Sequence, residues 1–203
     1  MSQPMNTTCN LIIDLRSYWH IGSGRGQGVH LDALTRRDPH GLPLLPGRSV
    51  RGLLRDAVCH AQALGWYGDQ PSLHESLFGR RVADGEHEIL PGCLRVSDAR
   101  LPPALSDWLA HKDQAALREG LFAQLFSTAI DDASGTALRS SLRGIEVCIP
   151  LELQARVELL PGAQGVPDAW QQQLALALPL IHGIGANRSR GMGRAVLRME
   201  GQE

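Results

Sequence analysis

Apolar residues recur in this 203-residue chain with two different periods, and the order of those periods leaves few folds open. After Pro46 and Gly47 they recur at i, i+3, i+4 and i+7 over residues 50–64, which predicts a helix with one buried face. Over residues 151–159 apolar and polar side chains alternate, which predicts a half-buried strand. Further strands are predicted at residues 9–16, 89–96 and 194–199, and a second helix at 167–181.

The predicted order is strand, helix, strand, strand, helix, strand, which is the ferredoxin-like pattern. We therefore expect an α+β fold, with a ferredoxin-like or RRM-like palm formed by a single domain over residues 1–203. Residues 105–126 have helical spacing, and residues 127–144 are polar and resemble an excursion from the core. An insertion that includes a hairpin thumb is expected at about residues 100–146.

The basic residues are unusual in type rather than in number. The chain carries 20 basic and 21 acidic side chains, a net charge of −1, and only Lys112 among the basic residues is not arginine. A near-neutral chain would ordinarily argue against a nucleic-acid partner, because phosphate binding is driven by charge neutralisation and counterion release. The forked guanidinium nevertheless suits phosphate. The positions of the arginines, rather than the net charge, therefore decide whether a nucleic-acid partner is expected.

The cysteines and the apolar runs point to an intracellular protein. Cys9, Cys59, Cys93 and Cys148 form no C-x-x-C pair, which argues against a zinc knuckle and a disulfide framework. Free thiols in a reducing cytoplasm are expected. The first ten residues lack the features of a signal peptide and no apolar run is long enough for a bilayer, so we expect a cytoplasmic protein without a membrane partner.

Residues 183–193 give the sharpest local signal, since they contain four glycines together with Arg188 and Arg190. Glycine lets a backbone approach a ligand closely and adopt positive φ, and arginine supplies charge, so the segment suits a sugar-phosphate backbone. It lacks the Gly-Lys-Ser/Thr of a P-loop and the strand-to-helix setting of a dinucleotide fingerprint. A flexible loop with solvated arginines is the alternative interpretation.

A second basic feature lies at the start of the first predicted helix. At about 100° per residue, Arg48, Arg51 and Arg55 share one helix face, near backbone N–H groups that favour an anion. Such a stripe is more often an ordinary solvated face. In a ferredoxin-like layout the first helix and the loop before the last strand can lie close together, so we expect the two basic elements to form one groove.

Four short segments carry a family resemblance: LPGRSVRGLLR at 45–55, LFG at 77–79, LRVSDA at 94–99 and GANRSRGMG at 185–193. In order and spacing they resemble the RAMP superfamily of CRISPR-associated proteins, and most closely the repeated backbone subunit of type III effector complexes. Those subunits stack along a guide RNA, and their RRM-like palm carries a hairpin thumb. The resemblance implies RNA-binding roles for Arg48, Ser49, Arg51, Arg55, Gly185, Asn187, Arg188, Ser189, Arg190 and Gly191.

The resemblance also implies a catalytic residue. In the cleaving backbone subunits an aspartate lies after the first strand, between a glycine-containing stretch and an Asp-Pro turn; Asp32 holds that place, before Asp38 and Pro39. Such subunits cut guide-paired target RNA in a divalent-metal-dependent reaction, so Mg²⁺ is the expected cofactor and Asp32 its expected ligand. A loop carboxylate can hold that ion or position a 2′-hydroxyl, whereas an exposed carboxylate is a poor general base at neutral pH.

Three functions stay open on the sequence alone. The first is an RNA-guided endoribonuclease subunit in antiviral defence, with guide RNA, target RNA, further copies of itself and other effector-complex subunits as partners. The second is a structural RNA-binding filament subunit without chemistry of its own. The third is a stand-alone guide-RNA-processing nuclease, which would cut without metal and use a histidine as general base; the candidates are His20, His30, His40 and His182.

Overall fold

A computed structural model of the chain describes residues 7–26, 31–68, 73–80, 91–163 and 165–201. His30 and the first residues of the strand predicted at 89–96 lie outside these ranges. The elements, in chain order, are β1 (Thr8–Leu15), α1 (Gly47–Ala63), α2 (Leu73–Phe78), β2 (Leu94–Val96), α3 (Pro103–Ala110), α4 (Ala115–Glu119), β3 (Phe122–Ser127), β4 (Arg143–Cys148), β5 (Leu151–Leu159), α5 (Trp170–Ala177) and β6 (Ala195–Met199).

Four strands form the main sheet in the order β2-β5-β1-β6, and every neighbouring pair is antiparallel. The long pair at its centre is β1 with β5, which is in register from Thr8 opposite Glu158 to Leu15 opposite Leu151. Helices α1 and α5 pack against each other and bury apolar faces in the same core. With α3, α4, β3 and β4 set aside as an insertion between β2 and β5, this is the ferredoxin-like arrangement, so the expected fold class is confirmed.

Helix α1 begins at Gly47 because the backbone there fits closely against the end of β2. The Gly47 N–H donates to Asp98 Oδ1 at 2.8 Å, which satisfies one of the unpaired N–H groups of the first turn. A Cβ atom at this position would overlap the Val96 carbonyl oxygen, so only glycine fits. The helix ends at Ala63, and Gly65 follows with φ +73°, a conformation that glycine adopts without strain. Most of the apolar stripe seen in the sequence is buried, including Val50 and Leu54, whereas Leu64, just past the end of the helix, is 62% exposed.

The outer face of the main sheet is polar. Arg198 forms an ion pair with Glu152, and Arg156 with Glu158, across this face. The two central strands, β1 and β5, contain no aromatic residue. The face therefore lacks the rings on which RRM domains stack bases.

The insertion is part helix and part hairpin. The helical spacing at 105–126 is only partly reflected in the structure, since α4 ends at Glu119 and β3 begins at Phe122. Strands β3 and β4 pair antiparallel as a separate two-stranded sheet. Within the described part of the chain, no helix combines the length and apolar character needed to cross a bilayer.

The segment between β1 and α1 folds back on itself. Residues 20–26 and 31–37, which we call the post-β1 hairpin, are joined by backbone bonds such as Ser23 N–H to Leu34 O at 2.9 Å and Arg36 N–H to Ile21 O at 2.8 Å. The second limb of this hairpin runs parallel to β4, where Glu146 N–H donates to Ala33 O at 2.9 Å. The post-β1 hairpin is thus docked along β4, which pairs with β3 in the insertion.

Candidate nucleic-acid interface and catalytic residue

Asp32 lies on the second limb of the post-β1 hairpin and is anchored to the start of β4. Its N–H donates to Gly144 O at 2.8 Å, and the Gly144 N–H donates to Asp32 Oδ2 at 2.9 Å. The residue is exposed, and Oδ1 has no protein partner among the described residues. One carboxylate oxygen therefore fixes the side chain, while the other faces solvent and can accept a ligand.

A buried ion pair holds this limb in place. Glu146, only 8% exposed, accepts hydrogen bonds from the Thr35 N–H at 3.1 Å and from Arg37 Nη2 at 2.7 Å. The Arg37 guanidinium also lies 3.6 Å from the centre of the Phe122 ring and contacts Glu119 at 3.2 Å. Burial alone would lower the pKa of Arg37, but the hydrogen bonds and charges of the two glutamates outweigh it and raise that pKa.

An exposed aromatic ring lies on β3, across β4 from the limb that carries Asp32. In the register of β3 and β4, Phe126 lies directly opposite Gly144, the residue that binds Asp32. The Phe126 side chain is 55% exposed, which is unusual for a phenylalanine and offers a flat apolar surface to a base. Sequence analysis missed this ring because residues 105–126 were assigned to helix.

His20 is the candidate histidine that the structure places nearest to this region. It is buried, and its Nδ1 lies 2.6 Å from Glu146 O. A carbonyl oxygen only accepts hydrogen bonds, so Nδ1 carries the proton and Nε2 keeps a lone pair in the neutral ring. His40 and His182 are exposed.

The glycine-rich segment 183–193 is a closed loop packed against the residues after β1. Ile184 N–H donates to Gly193 O at 2.8 Å, and Gly193 N–H donates to Tyr18 O at 2.7 Å. A Cβ at Gly185, which has φ +88°, would overlap the His20 carbonyl oxygen. These glycines allow the protein backbone to pack closely, whereas Gly191 has open space above it.

The polar side chains at the tip of this loop are presented to solvent. Asn187 has a left-handed backbone, with φ +55°, and begins a single 3₁₀ turn over Arg188–Arg190. The side chains of Asn187, Arg188, Ser189 and Arg190 are all exposed. The loop tip therefore presents two guanidinium groups, an amide and a hydroxyl on a fixed backbone.

The three arginines of α1 have different surroundings. Arg51 donates from Nε to Leu94 O and from Nη2 to Phe78 O, both at 3.1 Å, and its guanidinium lies near the Phe78 ring. Arg55 Nε donates to His74 Nε2 at 3.1 Å. Arg48 is exposed without a partner among the described residues, and Ser49 beside it is half-buried.

The two basic elements lie towards opposite edges of the main sheet. Arg51 is anchored beside β2, whereas the glycine-rich loop leads into β6, and these strands are the two edges. With strands about 4.8 Å apart, three spacings separate those edges. The structure thus gives two basic surfaces, one at the start of α1 and one at the tip of the glycine-rich loop, and a single groove that joins them stays a prediction.

Asp32 fits a magnesium ion only in part. Across the described ranges no three His, Cys, Asp or Glu side chains are grouped as a metal site. Mg²⁺, however, is commonly held by one or two carboxylates while water and substrate phosphates complete its shell. The unpaired, exposed Oδ1 of Asp32 suits that mode and would hold the ion together with a bound phosphate.

Comparison with known proteins agrees with this fold. A family model described as RAMPs, the RAMP superfamily, matches residues 12–196. A chain of the type III-B Cmr-beta cryo-EM structure in its apo state superimposes with a TM-score of 0.66 at 11% identity, covering 98% of this chain and 99% of that chain. A chain of Cmr-beta bound to cognate target RNA gives 0.67 at 10% identity, covering 97% and 98%. At such identities the likeness concerns the fold.

The search of curated proteins found no match. The family model, in contrast, begins within β1 and ends within β6, so it spans the main sheet, the insertion and both basic surfaces. This chain belongs to the RAMP superfamily.

Proposed function

We propose that the protein is a guide-RNA-binding backbone subunit of a type III CRISPR effector complex and that it cuts guide-paired target RNA at Asp32. The observation that carries the catalytic part is the geometry of Asp32, in which Gly144 fixes one carboxylate oxygen and the other faces solvent. The exposed ring of Phe126 lies on β3, on the other side of β4. Family membership and the likeness to Cmr-beta chains support the placement in an effector complex.

Guide binding is assigned to the two basic surfaces. Arg48 and Ser49 stand at the N-terminus of α1, where the helix dipole favours a phosphate. Arg188, Ser189 and Arg190 form the second surface together with Asn187, Gly185 and Gly191. Arg51 and Arg55 already hold Leu94, Phe78 and His74, so their part is to fix the α1 surface and to add positive charge near it.

The cleavage step places the target phosphate next to Asp32. When bound, Mg²⁺ would supply neutralising charge at the scissile phosphate and help to orient the nucleophile. Asp32 Oδ1 would hold the ion, Phe126 would stack on a base of the strand, and the hydrogen bonds to Gly144 keep the Asp32 carboxylate in position. The 2′-hydroxyl attacks the adjacent phosphorus and gives its proton to solvent water. The bond from phosphorus to the 5′ oxygen of the next nucleotide breaks, and that oxygen takes a proton from water, which leaves a 2′,3′-cyclic phosphate and a 5′-hydroxyl.

The decisive variant is Asp32→Asn in the assembled, guide-loaded complex. The asparagine oxygen still accepts the hydrogen bond from the Gly144 N–H, so the fold and assembly are retained, while the charge that binds the metal is lost. We expect target cleavage to fall by at least about 100-fold with guide content unchanged. Asp107→Asn, which alters an exposed carboxylate on α3, is the matched control and should cut as wild type does.

The same assay separates the other two candidates. A structural filament subunit would copurify with small RNAs of uniform length and show no Asp32-dependent cutting. A stand-alone processing nuclease would cut repeat RNA in EDTA and lose activity in a His20 variant, a possibility that the lone pair on the buried Nε2 keeps open.

A further inference from the structure

A cleft of about 800 Å³ opens between the post-β1 hairpin and β3, and none of the residues assigned to the two basic surfaces lines it. Its lining contains three arginines, two glutamates and a glutamine: Arg25, Arg36, Arg37, Glu119, Glu146 and Gln124. The family resemblance assigns no role to any of them.

The charge that the cleft offers to a ligand is positive. Arg37 is engaged by both glutamates, at 2.7 Å from Glu146 and 3.2 Å from Glu119, so these three side chains largely satisfy one another. Arg25 and Arg36 have no acidic partner among the described residues. Two guanidinium groups are therefore left uncompensated at the cleft.

Arg36 has an unsatisfied donor at the cleft. Its Nε atom is buried and has no hydrogen-bond partner among the described residues, although buried N–H groups are nearly always paired. Gln124 is exposed on β3 within the same lining and adds an amide to the cleft. Forked guanidinium donors next to an amide match the oxygens of a phosphodiester.

Both arginines stand on backbone that is fixed before any ligand binds. Leu34 N–H donates to Arg25 O at 2.9 Å, and Arg36 N–H donates to Ile21 O at 2.8 Å, so the two residues are held on opposite limbs of the post-β1 hairpin. Thr35 between them is locked by Glu146. Preorganised donors lose little entropy when a phosphate binds.

The cleft adjoins Asp32. Gly26, next to Arg25, packs so closely on the second limb that an added Cβ would lie 2.9 Å from the Asp32 carbonyl oxygen. Arg36 follows Asp32 on the same limb. An RNA strand whose scissile phosphate is at Asp32 would thus bring a neighbouring phosphate to the arginines.

We propose that Arg25 and Arg36 bind a phosphodiester of the strand that Asp32 cuts, and that they act as positioning residues for the target RNA. This inference rests on the proposed function for the identity of the strand. It adds a third phosphate contact, distinct from the α1 surface and the glycine-rich loop that are assigned to the guide.

The test uses the guide-loaded complex with Arg25→Gln, Arg36→Gln and the double variant. The probe is a labelled target RNA whose dissociation constant is measured over a range of salt concentrations. The double variant should weaken target binding about tenfold or more and lower the slope of log K against log salt by about one for each lost contact. Guide content should not change.

Controls separate the cleft from general charge effects and from folding. Arg198→Gln removes an exposed arginine from the polar sheet face, where it pairs with Glu152, and should leave both quantities unchanged. Arg25→Gln changes an exposed side chain that has no side-chain partner among the described residues, so the fold is not at risk. Arg36→Lys keeps the charge and should retain most of the salt slope.

The possible failures are distinguishable. If the double variant keeps the affinity and salt slope of wild type while the wild-type complex cuts its target, the phosphate-binding role of the cleft is refuted and the proposed function stands. Loss of target affinity in the double variant, with no cleavage by the wild-type complex, supports the cleft and overturns the catalytic role of Asp32.

Discussion

Two glycines of the glycine-rich loop should respond very differently to the same substitution. Gly191 and Gly193 both have positive φ, +83° and +67°. A Cβ at Gly191 would meet nothing within 4 Å, whereas one at Gly193 would overlap the Ile184 carbonyl oxygen. Gly193→Ala therefore adds a steric conflict to a conformational cost that Gly191→Ala also has.

The magnitudes follow from these surroundings. A left-handed alanine costs about 1–2 kcal/mol, and the lower entropy of the unfolded chain offsets about 0.4–1 kcal/mol of that, so Gly191→Ala should lose about 1 kcal/mol. At Gly193 the backbone must also move away from Ile184 and weaken two hydrogen bonds, Ile184 N–H to Gly193 O and Gly193 N–H to Tyr18 O. At about 1–2 kcal/mol for each of these two weakened bonds, the total reaches about 3–5 kcal/mol.

Thermal and urea unfolding of the two variants, followed by circular dichroism, measure this difference. For a domain of this size 1 kcal/mol shifts the midpoint temperature by about 2–4 °C, so Gly193→Ala should lower it by roughly 10 °C and Gly191→Ala by roughly 3 °C. Equal shifts in the two variants would refute the packing of this loop against Tyr18 and Ile184.

Two further predictions concern titratable groups. Cys59 is exposed and should react first with a thiol reagent at neutral pH. Cys148 is buried, and burial raises its pKa to about 12, so it should stay unmodified until the protein unfolds. Rapid modification of Cys148 would contradict its burial. Burial, and then the charge of Arg55, lower the pKa of His74. The unfolded chain therefore binds more protons at this position than the folded protein does. The contribution of His74 to the stability of the folded state is present above about pH 6.5 and is lost as pH falls through the lowered folded pKa. Because His74 is only half-buried and solvent screens part of the interaction, urea unfolding should show His74→Gln reducing the acid loss by only a few tenths of a kcal/mol, and an unchanged pH profile would contradict the contact with Arg55.

The main sheet could be predicted because its signals are local. The alternation in β5 and the helical period of α1 each occupy one continuous segment, so the ferredoxin-like order followed directly. Strand β3 was missed because its six residues continue an apolar spacing that also suits a helix. The post-β1 hairpin was missed because its partner is β4, more than a hundred residues away in the sequence.

Residues of the candidate site could be predicted from the sequence only where they lie in a recognisable motif. Asp32 was found through the family resemblance, since no local pattern distinguishes it from a loop residue. The ion pair of Arg37 and Glu146 is long-range, although a single acidic residue between Ile145 and Val147 in an apolar strand signals a buried charge in need of a partner. A helical projection placed Arg51 and Arg55 on one face correctly but did not indicate that α2 and β2 cover it.

The catalytic role of Asp32 is tested by the single-turnover rate of target cleavage by the guide-loaded complex, measured against Mg²⁺ concentration for wild type and Asp32→Asn. We predict a wild-type rate that rises to saturation with Mg²⁺ and disappears in EDTA, and a rate for Asp32→Asn that stays near zero while target affinity is unchanged. Equal rates for the two proteins, or cleavage that persists in EDTA, would contradict it.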